Sequence, residues 1–285
     1  MNNQTNKAPA RSVKKRDGTG RLVIKITLIA LAAIAVVIAA LWIAGLRYMK
    51  VSDGNGSTVK FLGWTKDGQP VSGTFYISGK NENTARLSGG VLTYADGAIY
   101  EGELNGGFRN GRGKLTFNDG STYEGGFVND ALTGSGTFIY KDGDTYTGEV
   151  RDGEYNGYGT YTYKNGDCYT GYYTSNMRSG QGKMTYSDGS WYEGSYVNDA
   201  KSGQGTYHWA NGDEYVGAFD NDRITGQGTY KWANGETYTG AFVNGDMQGW
   251  GKYSWPTGRV LEGQFDHGKY VRTAENDGGS TLDGN

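Results

Sequence analysis

A repeat of fixed length dominates this sequence. Units of 23 residues follow one another without an insertion up to Phe265, and Leu261 holds the first place of an incomplete last unit; the complete units begin at Tyr100, Tyr123, Tyr146, Tyr169, Tyr192, Tyr215 and Tyr238. A fixed period indicates one small structural unit copied in a row, so the fold is an array. The 50 glycines and the 36% hydrophobic residues also argue against a thick core.

Each unit carries the signal of a tight turn. Asp-Gly or Asn-Gly pairs close the units, as at Asp119-Gly120, Asp142-Gly143, Asn165-Gly166 and Asn211-Gly212. Such pairs supply the positive φ that a primed hairpin turn needs. Each unit therefore predicts two short antiparallel strands.

The alternation of side chains along these strands separates two faces. Tyr146, Gly148 and Val150 share one face, and Gly159 and Tyr161 continue it on the next strand. Thr, Lys and Glu occupy the other face. Glycine opposite a large ring leaves a slot that the ring covers, so rings lying over glycine backbone are predicted to form the core.

The predicted fold is therefore all-β, an elongated single-layer antiparallel β-meander of 23-residue hairpin repeats. About fifteen strands in the regular repeats would extend over roughly 70 Å. The ribbon is predicted over 77–271, with 77–99 as a degenerate copy. Residues 47–76 are predicted to be a linker, a degenerate repeat or a cap. Residues 272–285, rich in Gly, Asp, Ser and Asn, are predicted to be a disordered tail.

An apolar run precedes the ribbon. Residues 26–46 contain no charge and reach about 31 Å as a helix, which is enough to cross the hydrocarbon core of a bilayer. Residues 1–50 hold nine Lys and Arg against one acid, a balance of +8, and most of these cations lie before the run. The positive-inside rule then predicts a single-pass transmembrane helix over 26–46, a basic cytoplasmic tail over 1–25, and repeats outside the cytoplasm. A cleaved signal peptide and a buried helix of a soluble domain are the alternatives.

The stretch from Tyr100 to Gly120 resembles the MORN repeat. It reads Tyr-Glu-Gly-Glu-Leu and then Asn-Gly-Arg-Gly-Lys-Leu-Thr-Phe-Asn-Asp-Gly, and the likeness extends over about 77–268. The resemblance implies a β-meander with aromatic residues along a groove. It also implies a scaffold, tether or targeting region, with phospholipid binding as a proposed property. A weaker similarity, through Gly63-Trp64 and the Asp-Gly turns, is to aromatic-glycine wall-binding repeats.

Little in the sequence favours catalysis. Carboxylates recur from unit to unit, as at Glu101, Glu124, Glu193 and Glu262. Such repetition is typical of a scaffold, whereas an active site needs a single group of desolvated side chains with shifted pKa values. His208, His267 and Cys168 cannot complete a zinc site. No enzyme activity, cofactor or metal is expected. The net charge of the whole chain is −2 and that of residues 1–50 is +8, so the rest of the chain has a net charge of about −10. This negative charge disfavours binding to nucleic acid.

Three sets of residues are candidates for binding. The aromatic groove comprises Tyr146, Tyr169, Tyr192, Trp209, Trp232 and Trp255. Large side chains on the opposite face are candidate partner anchors, namely Tyr158, Tyr172, Trp191 and Trp250. Arg109, Arg178 and Lys201 recur at one loop position and are candidate contacts for lipid or other anions.

The leading functional hypothesis is a membrane-anchored scaffold, adaptor or regulator that binds another envelope protein, such as a component of the cell-wall synthesis machinery. The alternative is a module that binds wall glycan or phospholipid headgroups.

Overall fold

One open antiparallel sheet follows one helix. The computed structural model describes residues 18–52, 58–78 and 83–271. Most of the predicted basic tail and the whole predicted disordered tail, 272–285, lie outside the described residues.

Helix α1 covers Gly18–Ile43. It ends before the predicted boundary at Leu46, because Gly45 has a φ of +106°, a conformation that closes helices. The N–H of Gly45 donates to the carbonyl of Trp42 at 3.1 Å, and Leu46 already begins the first strand. Within the described part of the chain, no helix combines the length and the hydropathy of a membrane span.

The sheet has 21 strands. They are β1 Leu46–Ser52, β2 Thr58–Lys66, β3 Gln69–Ser78, β4 Asn83–Ser88, β5 Val91–Tyr94, β6 Ile99–Asn105, β7 Phe108–Thr116, β8 Thr122–Val128, β9 Ala131–Ile139, β10 Thr145–Arg151, β11 Glu154–Thr162, β12 Cys168–Thr174, β13 Met177–Thr185, β14 Trp191–Val197, β15 Ala200–His208, β16 Glu214–Asp220, β17 Arg223–Lys231, β18 Thr237–Val243, β19 Asp246–Ser254, β20 Val260–Asp266 and β21 Lys269–Tyr270. Each strand pairs with the next in chain order, for example β15 with β16 and β16 with β17. The predicted all-β meander is confirmed.

Two kinds of turn alternate along the ribbon. At Asn198-Asp199 both residues have positive φ, +48° and +70°, so a two-residue primed turn joins β14 to β15. At the predicted primed turn Asp119-Gly120, only Gly120 has positive φ, and its N–H donates to the carbonyl of Phe117 at 3.1 Å. The Asp-Gly and Asn-Gly pairs within the repeats therefore mostly close three-residue loops. The predicted turn type was wrong there because Asn-Asp pairs, which also tolerate left-handed backbone, take the primed turns.

The two glycines of each Gly-x-Gly pair have different tasks. Gly226 has a φ of +62° and lies at a bulge, where the pairing of β16 with β17 shifts register. Gly228 lies directly opposite Gly217, and a Cβ there would come within 2.4 Å of the Tyr215 hydroxyl. The first glycine bends the strand, and the second makes room for a ring.

At both ends of the ribbon, a residue other than the repeat tyrosine covers the facing glycines. Residues 47–76 contribute the first strands of the same sheet, where the ring of Phe61 lies over Gly63 and Gly73. At the other end Leu261 replaces the tyrosine, and the ring of Tyr270 lies 2.8 Å from where a Cβ of Gly263 would be. Large rings thus cover the glycine pairs at both extremities.

Candidate functional site

The ring face of the sheet, defined as the face that carries the repeat tyrosines, has a fully buried layer. Tyr215 is typical: it is 0% exposed, lies over Gly217 and Gly228, and donates its hydroxyl to the carbonyl of Ala218 at 3.1 Å. Burial raises the pKa of Tyr215 to about 12. All seven repeat tyrosines are buried in this way, so they act as the core.

In five of the seven complete repeats a second ring joins neighbouring units, whereas Leu104 and Val150 hold that place in the other two. Phe219 contacts Tyr215 and Tyr192 edge to face, with ring centroids 5.3 and 5.0 Å apart. Edge-to-face pairs contribute about 0.5–1.5 kcal/mol beyond the area that they bury. Since Tyr192 belongs to the preceding repeat, each such ring couples two units.

Tyr173 and Tyr196 are the two tyrosines of this row, and Tyr196 is the one with a buried, unpaired hydroxyl among the described residues. Phe127, Phe219 and Phe242 hold the same place elsewhere. An unsatisfied buried hydroxyl costs about 1–3 kcal/mol. We expect Tyr196→Phe to raise the free energy of unfolding by about 1 kcal/mol, measured by urea unfolding of the full chain in detergent.

The control for this prediction is Tyr192→Phe. The Tyr192 hydroxyl donates to the carbonyl of Ser195 at 3.1 Å, so its removal should lower the free energy of unfolding. If both substitutions changed the free energy of unfolding equally, the Tyr196 hydroxyl would not be the unsatisfied group.

An uninterrupted row of partly buried rings runs beside the fully buried layer. We call it the aromatic stripe, and it consists of Tyr186, Tyr207, Trp209, Tyr230, Trp232, Tyr253 and Trp255. From Tyr207 to Trp255 successive ring centroids lie 4.6, 5.1, 4.7, 5.2 and 4.6 Å apart. Tyr186 joins Tyr207 at 6.2 Å. The described residues place no second layer over these rings.

Carboxylates border the stripe. Tyr230 donates its hydroxyl to Asp213 at 2.7 Å, and Tyr253 donates to Glu236 at 2.6 Å. Burial acts to raise the pKa of Asp213, but hydrogen bonds from Tyr230, Ala233 and Asn211 outweigh it and lower that pKa. The hydrogen bond from Tyr253, and then that from Asn234, lowers the pKa of Glu236. Both carboxylates are therefore ionised at neutral pH.

The residues predicted to form the groove divide into two groups. Tyr146, Tyr169 and Tyr192 are 0% exposed and belong to the buried layer, out of reach of a ligand. Trp209, Trp232 and Trp255 lie in the aromatic stripe. The structure thus separates core rings from accessible ones.

The three cations predicted to contact anions are already paired. Arg109 Nε lies 3.1 Å from Asp130, Arg178 Nε lies 3.1 Å from Asp199, and Lys201 Nζ lies 3.6 Å from Asp222. Their side chains are only 17, 22 and 16% exposed. They cover the buried tyrosines, as the Arg178 guanidinium does 5.2 Å from the centre of the Tyr196 ring.

The large side chains predicted as anchors lie on the opposite, polar face at separate places. Tyr158 and Tyr172, about half exposed, meet edge to face with centroids 5.3 Å apart. Trp250 is 60% exposed and lies on the distant strand β19. Trp191 stacks on His208 and lies under Lys183, whose Nζ is 4.5 Å from the ring centre.

The repeated carboxylates also lie on the polar face. The pairing of strands places Glu101, Lys114 and Glu124 side by side in one row, and Lys183 pairs with Glu193 at 3.1 Å. All four repeated glutamates named above are exposed. Among the described residues, no group of three His, Cys, Asp or Glu side chains could hold a metal ion.

Four of the seven stripe rings were not predicted from the sequence, namely Tyr186, Tyr207, Tyr230 and Tyr253. Tyr207, Tyr230 and Tyr253 fall two residues before the predicted tryptophans and share their face, since side chains at i and i+2 point the same way. That spacing was the available signal. The carboxylates at Asp213 and Glu236 follow each tryptophan by four residues across a loop.

Comparisons with known proteins identify the repeat. A family model described as MORN repeat matches seven consecutive units, 100–122, 123–145, 146–168, 169–191, 192–214, 215–237 and 238–258. A search of curated proteins finds no match.

Two solved structures match this chain with low scores. One is the TCP domain of SAS-4 from Drosophila melanogaster in complex with a proline-rich motif of Ana2, at 15% identity and a TM-score of 0.36, covering 61% of this chain and 88% of that one. The other is a streptogramin B lyase, at 9% identity and a TM-score of 0.16, covering 78% and 84%. At these scores neither resemblance says anything about function.

Proposed function

The chain belongs to the MORN-repeat family, and we propose that it is a non-enzymatic, membrane-anchored binding protein whose repeat ribbon holds a protein partner. The ribbon works as a scaffold or adaptor outside the cytoplasm. The partner to test first is another envelope protein, including a wall-building enzyme.

Support for the anchor comes from the amino-acid sequence. Residues 26–46 contain 21 consecutive uncharged residues, and the cations of residues 1–50 lie mostly before them. This arrangement is typical of a single-pass helix whose N-terminus stays in the cytoplasm.

The observation that carries the binding proposal is the aromatic stripe. Trp and Tyr are among the residue types that most often supply binding energy at protein interfaces. The stripe presents seven such rings, each partly buried and partly open to solvent, in one continuous row. The stripe spans three repeats, from Tyr186 on the loop after β13 to Trp255 after β19. Its ionised carboxylates would repel anionic headgroups, which weighs against a phospholipid as the ligand of this surface.

One experiment tests placement and binding together. A membrane-impermeant crosslinker is applied to intact cells that produce the full chain with a C-terminal tag, and captured proteins are compared between variants. We expect specific partners with the unaltered chain and with Tyr158→Ala/Tyr172→Ala. Recovery should fall by about tenfold or more with Trp209→Ala/Trp232→Ala, because interface tryptophans commonly contribute over 1.4 kcal/mol each.

Two results would count against the proposal. Crosslinks that form only after the cells are opened would place the repeats in the cytoplasm. Undiminished recovery by the Trp209→Ala/Trp232→Ala chain, with loss in the Tyr158→Ala/Tyr172→Ala chain, would move the binding surface to the polar face.

A further inference from the structure

We propose that the aromatic stripe binds a proline-rich segment of the partner in the polyproline II conformation, carrying one basic residue per turn. This inference rests on the proposed function and names the class of partner. It follows from the spacing of the rings, the free indole N–H groups and the charge beside them.

The spacing of the rings matches the pitch of the ligand. Each repeat adds one Tyr-Trp pair and two strands, so equivalent rings recur about every 9.6 Å. A polyproline II helix has three residues per turn and rises about 3.1 Å per residue, which gives a pitch of about 9.3 Å. Each turn of such a helix therefore meets one pair, Tyr207 with Trp209, Tyr230 with Trp232, or Tyr253 with Trp255.

The hydrogen-bonding groups are complementary as well. The indole N–H groups of Trp209, Trp232 and Trp255 have no hydrogen-bond partner in the described part of the chain, and none of these nitrogens is closed off from solvent. A proline-rich segment has few N–H groups of its own, but its carbonyls point outward and accept hydrogen bonds. Aromatic rings that also donate are the usual way of reading such a segment.

The charge beside the stripe selects the basic residue. The loops that follow Trp209 and Trp232 carry Asp213 and Glu236 four residues after each tryptophan, and no Lys or Arg. The loop after Tyr186 has Ser190 at that place and Asp188 two residues earlier. Lys201 lies 5.4 Å from the centre of the Tyr207 ring and is paired with Asp222.

The loop after Trp255 carries Arg259 instead, whose guanidinium lies 4.7 Å from the centre of that ring. Two basic residues three positions apart would therefore meet Asp213 and Glu236, one on each turn of the bound helix. At the next turn Arg259 would repel a basic residue of the ligand, so the preference for basic residues would stop there.

Synthetic peptides test this inference on the full chain in detergent micelles. The probe is a fluorescent peptide of four Pro-Pro-Arg triplets, and its affinity is measured by anisotropy. A peptide of four Gly-Gly-Arg triplets keeps the positive charge but does not form the polyproline II helix. A peptide of four Pro-Pro-Glu triplets forms the helix but carries negative charge. We expect both to bind about tenfold more weakly or worse, a difference of at least 1.4 kcal/mol.

Variants locate the binding. Trp232→Ala should weaken the Pro-Pro-Arg peptide about tenfold or more. Asp213→Asn/Glu236→Gln, which keeps the shape of both side chains, should weaken it less and reduce its salt dependence. Trp250→Ala, an exposed tryptophan on the polar face, is the matched control and should change nothing. Thermal unfolding of each variant excludes loss of the fold.

Three results would overturn the inference. The Gly-Gly-Arg peptide could bind as tightly as the Pro-Pro-Arg peptide, which would leave only charge attraction. Trp232→Ala could have no effect. A soluble oligosaccharide could displace the peptide from the stripe and bind tightly itself, which would assign the rings to glycan.

Failure here is distinguishable from failure of the proposed function. If crosslinking captures a partner that depends on Trp209 and Trp232 while no proline-rich peptide binds, the stripe binds a protein of another shape. If no protein is captured by the unaltered chain, the binding function itself is wrong.

Discussion

Gly228→Ala is expected to destabilise the ribbon by about 3 kcal/mol or more. The added methyl group would lie 2.4 Å from the hydroxyl of Tyr215 and 2.5 Å from its ring, and that ring is held down by its hydrogen bond to Ala218. Neither the ring nor the facing glycine backbone can retreat in a sheet this closely packed. Urea unfolding of the full chain in detergent, followed by tryptophan fluorescence, measures the loss.

A neighbouring glycine provides the control. Gly226→Ala places a methyl group 3.3 Å from Ala218 and forces a left-handed backbone on alanine, which costs about 1–2 kcal/mol. Adding Tyr215→Ala to Gly228→Ala should cost less than the two single changes added together, because the overlap is removed. Additive costs would show that Tyr215 does not press on Gly228.

Phe219→Ala is expected to cost about 3–5 kcal/mol and to divide the unfolding of the ribbon into two steps. Phe219 is 5% exposed and contacts the repeat tyrosines of two units. The stability of an array depends on the contacts between neighbours, so loss of one contact uncouples the repeats on its two sides. Calorimetry and urea unfolding should resolve the two transitions.

Val216→Ala is the matched control. Val216 lies three residues away on the polar face and is 48% exposed, so its truncation should change the free energy of unfolding by about 0.5 kcal/mol or less. A single transition for Phe219→Ala at nearly unchanged midpoint would mean that the edge-to-face contacts do not couple the repeats.

The repeat predicts the sheet well because its strongest signals are local. The spacing of Tyr215, Gly217 and Gly228 follows from side-chain alternation and from one hairpin, so the position of the ring over its glycines can be derived without coordinates. The family resemblance led to the same meander, and the family model confirms it over residues 100–258.

The candidate site was harder to predict because it depends on contacts between repeats. The pairing of Arg178 with Asp199 joins turns 21 residues apart. A repeat tyrosine is fully buried where it lies over a facing pair of glycines, as Tyr192 lies over Gly194 and Gly205. Tyr192 and Trp209 looked equivalent in the sequence. One is core and the other is accessible.

The junction between helix α1 and strand β1 gives the ribbon a geometric property. Only Ala44 and Gly45 separate the helix from the sheet, and the carbonyl of Gly45 accepts a hydrogen bond from the N–H of Thr65 in β2 at 2.9 Å. The array thus begins at a defined origin, and every further 23-residue copy adds about 9.6 Å of reach. Strand β15, which carries Tyr207, lies roughly 67 Å along the sheet from β1. The number of copies therefore sets how far along the sheet a given strand lies from the helix.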